Sequence, residues 1–241
     1  MNACISQWIG RRSEQEDAYA VRHFPTGTLA IVCDGMGGHC HGGQAATRAA
    51  EAFATAFAEQ CGCPMVERLR EALHAANKSV GELFRQCDSF GGCTLLAAFI
   101  GGNVLWWISV GDSPLLLWRR GRLTRLNADH SMRSLYADLV RTGTMTHQEM
   151  LRRGNMLRSA VTGESIPLVD APPTPYPVLP GDKIILCSDG LDDLLLGSTL
   201  PPSTRKLLDT RGGNPAALLI EACRAMNTDY ADNATAITLD V

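Results

Sequence analysis

An α+β fold, with antiparallel sheets flanked by helices, is what this sequence predicts, and three observations carry it. Two long helical patterns follow one another directly in the first third of the chain. Strands elsewhere are joined by tight turns. Nowhere does a strand alternate regularly with a helix, as parallel βαβ units require.

Residues 17–23 and 28–33 read as two strands around a Pro-Thr-Gly turn at 25–27. From 43 to 60 the chain is rich in alanine, with Ala46, Ala49, Phe53 and Phe57 at helical spacing on a slim face. After a break at Cys61-Gly-Cys-Pro64, the positions Val66, Leu69, Leu73, Ala76, Val80 and Leu83 predict a second amphipathic helix. Gly91-Gly92 opens a run of strands at 93–100, 104–110, 114–119 and 122–126. The apolar run from Thr94 to Val110 is interrupted by Gly101-Gly-Asn103, so it reads as a hairpin and not a membrane span.

Two further helices are expected between 131 and 153. The second starts at Thr146, where Glu149 completes a capping-box pattern. The stretch 167–180 holds six prolines and reads as a surface connection. Lys183 to Ser188 is a buried strand, Asn214-Pro215 caps a helix running to about Asn227, and a strand from Ala234 to Val241 closes the sequence. No repeat, low-complexity tract or long linker divides the 241 residues, so a single domain over 1–241 is expected.

Composition narrows the function. A formal net charge of −3 gives no electrostatic case for nucleic acid. The N-terminus lacks a signal-peptide pattern, no transmembrane helix is visible, and the nine cysteines, several within apolar runs, suit a reducing cytoplasm. The informative feature is an acidic residue at the edge of an apolar strand, usually beside glycine. It occurs at Glu16-Asp17, Asp34-Gly35, Asp189-Gly190 and Asp232-Asn233, with Gly111-Asp112-Ser113 as a fifth case. One such place is a turn. Five converging carboxylates would repel one another strongly unless a cation held them. Oxygen-only ligation points to Mg²⁺ or Mn²⁺ over Zn²⁺.

In this order and spacing the pieces resemble the metal-dependent protein phosphatases of type 2C (the PPM family), bacterial branch. They are Arg12-Ser-Glu-Gln-Glu-Asp17, Asp34-Gly-Met-Gly-Gly-His39, Gly92-Cys-Thr94, Val110-Gly-Asp-Ser113, Asp129-His-Ser131, Ser188-Asp-Gly190 and Asp232-Asn-Ala-Thr235. The resemblance implies a four-layer αββα sandwich, two antiparallel sheets packed face to face between helix pairs. It also implies hydrolysis of phosphoserine and phosphothreonine. Asp34 would bridge two cations, Glu16 and the Gly35 carbonyl would complete one metal site, and Asp189 and Asp232 the other. Asp112 with Asp189 would match a third, weaker position, Arg12 would hold the substrate phosphate, and Asp17 and Asn233 would support the ligands from behind. In such a site two cations roughly 3.5–4 Å apart share a hydroxide that attacks phosphorus in line, and a guanidinium fork matches phosphate oxygens.

Three positions depart from the family pattern. Gln15 stands for an asparagine, Pro114 for an arginine, and Met36 for the histidine that eukaryotic relatives carry. Phosphorylated proteins are the expected partners, with an opposing serine/threonine kinase; monomer is the default, and residues 130–155 are the candidate flap over the site. One rival reading keeps the fold as a phosphatase-like module that binds phosphoproteins or scaffolds a complex. Another makes His39, Cys40, His41, Cys61 and Cys63 a zinc or copper site, although they lack the paired Cys-x-x-Cys framework of structural zinc.

Overall fold

The structure is a computed structural model and describes residues 2–36, 41–146, 149–150, 153–197, 200–210 and 212–241. Among the described residues eleven strands form two sheets, in which every pairing is antiparallel. One sheet has the order β1 (Asn2–Trp8), β11 (Ala234–Asp240), β10 (Lys183–Cys187), β7 (Leu115–Arg119), β8 (Arg122–Arg125). The other runs β2 (Asp17–Phe24), β3 (Gly27–Met36), β5 (Leu95–Gly101), β6 (Val104–Val110), β9 (Tyr176–Pro177), with β4 (Gly92–Cys93) pairing the end of β3.

The sheets are packed face to face, and helices cover their outer sides, because the central strands β3, β5, β7, β10 and β11 carry apolar residues on both sides. Ala30, Val32, Leu96, Ala98 and Ile100 meet Leu115, Leu117, Ile184, Leu186, Ile237 and Leu239 between the sheets. The alternate positions Leu29, Ile31, Cys33, Leu95, Ala97 and Phe99 point the other way, onto α1 (Gly42–Glu59) and α2 (Met65–Gln86). On the opposite outer face, Leu116, Trp118, Ile185, Cys187 and Ala236 pack on the helices Asp192–Leu195, Pro202–Asp209 and Pro215–Ala225. The expected four layers are therefore present.

The slim face of α1 works as the alanine spacing implies. Ala45, Ala46, Ala49 and Ala50 are buried and bring the helix close to the sheet, while Phe53 and Phe57 fill the gap towards α2. The Arg68 guanidinium lies 3.7 Å over the Phe57 ring, and its Nε donates to the Phe57 carbonyl at 2.6 Å, locking α2 to the end of α1. The β5–β6 hairpin turns on Gly102 and Asn103, both left-handed, as a two-residue turn requires.

Several expectations change. β1 is an unforeseen edge strand paired along its whole length with β11. Residues 167–180 are more than a surface connection. Tyr176–Pro177 joins the sheet, and the Asp170 carboxylate accepts from Trp107 Nε1 and the Ala128 N–H. The short helices at 192–195 and 202–209 follow β10 where none was expected. Beyond β8 the chain forms α3 (Arg133–Arg141), none of whose residues is fully buried. Thr146 and Glu149 make the reciprocal capping hydrogen bonds, the Thr146 N–H donating to Glu149 Oε2 and the Glu149 N–H to Thr146 Oγ1. Gly37, Gly38, His39 and Cys40 lie outside the described residues, so the rival zinc reading at His39 and Cys40 falls there too.

Candidate active site

All five acidic strand ends arrive at the same edge of the two sheets. Asp34 closes the β3 run and stands opposite Asp17 in the β2–β3 register, so Glu16 falls beside Gly35, whose N–H donates to the Glu16 carbonyl at 3.2 Å. Asp112 follows β6, Asp189 opens a single 3₁₀ turn after β10, and Asp232 precedes β11. Together Glu16, Asp34, Gly35, Asp112, Asp189, Asp232 and Asn233 line one cleft of ≈ 480 Å³, with Arg12 beside them. Asp17 is not in the lining; it lies behind it.

The backbone at this edge is crowded by design of the sequence. A Cβ on Gly35 would come within 2.3 Å of the Gly42 carbonyl oxygen and 2.7 Å of that of Glu16, so only glycine admits this approach. Gly10, in the left-handed region, lets the 9–12 turn lie against the backbone of Asp232, and the Arg11 N–H donates to the Ala231 carbonyl. That turn delivers Arg12. Its Nη2 donates to Asp232 Oδ2 at 2.6 Å, and both side chains are half open to solvent, 56% and 38% exposed.

Supporting hydrogen bonds hold the carboxylates from behind. Asn233 Oδ1 accepts from the Glu16 N–H at 2.7 Å, and its Nδ2 donates to the carbonyls of Ile9 and Glu14. One side chain therefore fixes the whole loop that carries Arg12 and Glu16. Asp17 accepts from Ser188 Oγ and Thr235 Oγ1 at 2.7 and 2.6 Å, which ties β2 to the strands bearing Asp189 and Asp232. Gln15, the departure from asparagine, accepts from the Asp17 N–H through Oε1. Thr94 clamps Asp34: its Oγ1 accepts from the Asp34 N–H at 2.9 Å, and its own N–H donates to the Asp34 carbonyl at 2.8 Å. Ser113 hydrogen-bonds Thr94 Oγ1 in turn. Pro114 accepts from the Cys187 N–H at its carbonyl, so the departure there sits within the sheet junction.

The electrostatics are those of carboxylates with too few cations. Burial, then the charges of Asp17, Asp189 and Asp112, hold the Asp34 carboxyl well above its ordinary value. Burial first, and the charge of Asp232 next, raise the Asp189 carboxyl above its ordinary value. Burial and Asp189 push Asp112 up to about 7, and burial brings Asp17 to about 6. Among the described residues no three His, Cys, Asp or Glu side chains form a ready-made ligand cage. The donor set itself is oxygen-only and strongly anionic, with one Asp17 oxygen buried and unpartnered behind it. It fits a hard divalent cation.

Sequence reasoning missed part of the lining. Asn155, Met156 and Leu157 enter the cleft from the end of the 130–155 segment, and Met36 forms another wall. The base of that segment is closed by Met132 N–H to Met156 O and Arg158 N–H to His130 O hydrogen bonds. Arg133 ties it to the acidic edge, donating to Asp192 at 2.5 Å and to Asn155 Oδ1 at 2.7 Å.

Comparison with known proteins agrees with this geometry. Residues 7–219 match the family model described as protein phosphatase 2C. The serine/threonine protein phosphatase PstP of Mycobacterium tuberculosis is 28% identical over 234 residues; the alignment covers 91% of this chain and 44% of that protein, so the chain spans less than half of its length. The serine/threonine phosphatase stp of Listeria welshimeri is 31% identical over 176 residues, covering 69% of this chain and 68% of its own. A crystal structure of the mycobacterial phosphatase superposes with a TM-score of 0.80 at 27% identity, covering 100% of this chain and 98% of that one. Its catalytic domain in complex with two manganese ions superposes at 0.78, with 27% identity and 99% and 97% coverage. The family match spans most of the sequence and the acidic edge is assembled as the motifs imply: this chain belongs to the protein phosphatase 2C family.

Proposed function

We propose that this chain is a metal-dependent protein serine/threonine phosphatase. One observation carries the reading: carboxylates from five separate strand ends meet in a single cleft with a guanidinium at its mouth. Glu16, Asp34, the Gly35 carbonyl, Asp189 and Asp232 would hold two divalent cations, Mn²⁺ or Mg²⁺, with Asp112 and Asp189 offering a third, weaker position. Such cations supply charge neutralisation and an acidified water that attacks phosphorus. The relative solved with two manganese ions supports this assignment.

The chain's own residues do the positioning. Arg12 is free to turn its fork from Asp232 to a phosphate, because both partners are half exposed and the exchange costs little desolvation. Asn233 fixes the Glu16 loop and Thr94 fixes Asp34, so the carboxylates do not have to reorganise as the substrate arrives. Among the described residues no histidine lines the cleft, and Met36 stands where a protein acid would be sought, so no side chain of the lining is assigned to protonate the leaving alcohol.

Phosphoproteins are the substrates of this reading, an opposing serine/threonine kinase its counterpart, a monomer its form and the cytoplasm its setting. Among the described residues no helix is long and apolar enough to cross a membrane. Residues 130–155 remain the proposed flap, supported by the open packing of α3 and by the entry of Asn155 into the cleft. The test is release of phosphate from a phosphoserine protein with Mn²⁺ present or chelated. Turnover only with Mn²⁺ supports the reading; no turnover in either condition leaves a phosphoprotein-binding module.

A further inference from the structure

A second depression adjoins the cleft and has no part in the chemistry above. It has a volume of ≈ 670 Å³, within the range of small-ligand pockets. Its walls are Phe84 and Phe90 from the end of α2 and the loop after it, and Thr162 and Glu164 from the facing loop. Met36 lines both cavities, so the two are neighbours on either side of a single residue.

The depression is built, not left over. Gly81 of α2 and Gly163 meet backbone to backbone, and a Cβ on Gly163 would come within 2.2 Å of the Gly81 Cα. Asn77 braces the contact: its Oδ1 accepts from the N–H groups of Thr162 and Gly163, and its Nδ2 donates to the Glu164 carbonyl. Gly91 lies against the Phe84 ring and the Met36 carbonyl, where a Cβ would come within 2.8 Å of the ring and 3.0 Å of the carbonyl oxygen. Phe90 stands at the rim 90% exposed, an aromatic ring that none of the described residues covers. Rim charges of both signs, Arg85, Asp88 and Glu164, give no preference for an ion.

We propose that this depression is the specificity groove of the phosphatase and takes an apolar side chain of the substrate polypeptide. The inference rests on the phosphatase reading. A chain whose phosphorylated residue enters the cleft must continue past its walls, and among the described residues Met36 is a wall shared with an apolar depression. Extended chain advances about 3.3 Å per residue, so the recognised side chain lies within about three residues of the phosphorylated one. Phe90 folds over that side chain and determines its class.

The experiment uses the whole chain with Mn²⁺ and phosphoserine peptides carrying leucine or serine at each position from three before to three after the phosphoserine. p-Nitrophenyl phosphate, which has no flanking chain, reports the chemistry alone. At one position the wild type is expected to favour leucine about tenfold in kcat/KM. Phe90→Ala, a surface change, is expected to cut that preference to about threefold or less while p-nitrophenyl phosphate hydrolysis stays unchanged. Equal rates for leucine and serine at every position would overturn the proposal, as would a preference that Phe90→Ala leaves intact. Failure to hydrolyse p-nitrophenyl phosphate and every peptide would instead overturn the phosphatase reading and take the groove's role with it.

Discussion

The two ends of the same sheets treat acidic residues in opposite ways. At the end away from the cleft, Asp182 receives a two-pronged hydrogen bond from Arg119, at 2.8 and 2.5 Å, and the Leu179 N–H as well. Asp240 beside it is paired with Lys183. Asp182 and Asp240 thus each have a basic partner, and Asp209 nearby accepts from Trp118 Nε1. At the cleft end five carboxylates line the wall, and among the described residues of that lining Arg12 is the single basic one. Folding alone gives no reason to gather those charges, since burying them unpaired is costly. The matched end is a structural joint; the unmatched end is organised for something that is not polypeptide.

That contrast can be broken most sharply at its centre. Asp34→Asn and Asp189→Asn each remove a carboxylate from the unmatched end, and turnover with Mn²⁺ should fall by about 100-fold or more. Near-normal rates in either variant would reject the assignment. Asn233→Ala frees the loop carrying Glu16 without touching a carboxylate, and apparent Mn²⁺ affinity should weaken by about 10- to 100-fold. Arg12→Ala should raise KM for a phosphopeptide by about 10-fold with a smaller effect on kcat, as loss of a charge-assisted phosphate contact does. At the matched end, Asp182→Asn should leave turnover unchanged but lower stability in urea by about 3 kcal/mol, because it strands a partly buried arginine.

Much of this end was legible in the sequence because strand ends beside glycine are local features. Asp34-Gly35 and Asp189-Gly190 announce themselves without knowledge of the partner strands. The α2 helix was equally plain, its apolar spacing being regular over its length. β1 was not. Its mixed run, Asn-Ala-Cys-Ile-Ser-Gln-Trp, is stabilised by the ladder to β11 and by the half-burial of Ala3 and Ile5 on one face and Cys4 and Trp8 on the other. Asp170 was hidden for a similar reason: it sits in a proline-rich stretch, and only the fold brings it to Trp107. Asn155, Met156 and Leu157 line the cleft through the closing of the 130–155 segment on itself, a contact that no periodicity encodes.

Titration of chelated protein with Mn²⁺ by calorimetry, repeated across pH, tests the central claim most directly. Asp34 and Asp189 are raised, and Asp112 lies near 7, so without cations these groups hold protons that unfolded carboxylates would release near pH 4. The contribution of Asp112 to stability is thus full below about pH 4 and lost as pH rises through about 7, and those of Asp34 and Asp189 are lost in the same direction. Bound cations reverse that balance. Two Mn²⁺ per chain should bind with release of protons near pH 6, more tightly as pH rises to about 7, and far more weakly to Asp34→Asn. Binding that is absent at millimolar Mn²⁺, or equal in wild type and Asp34→Asn, would contradict the account.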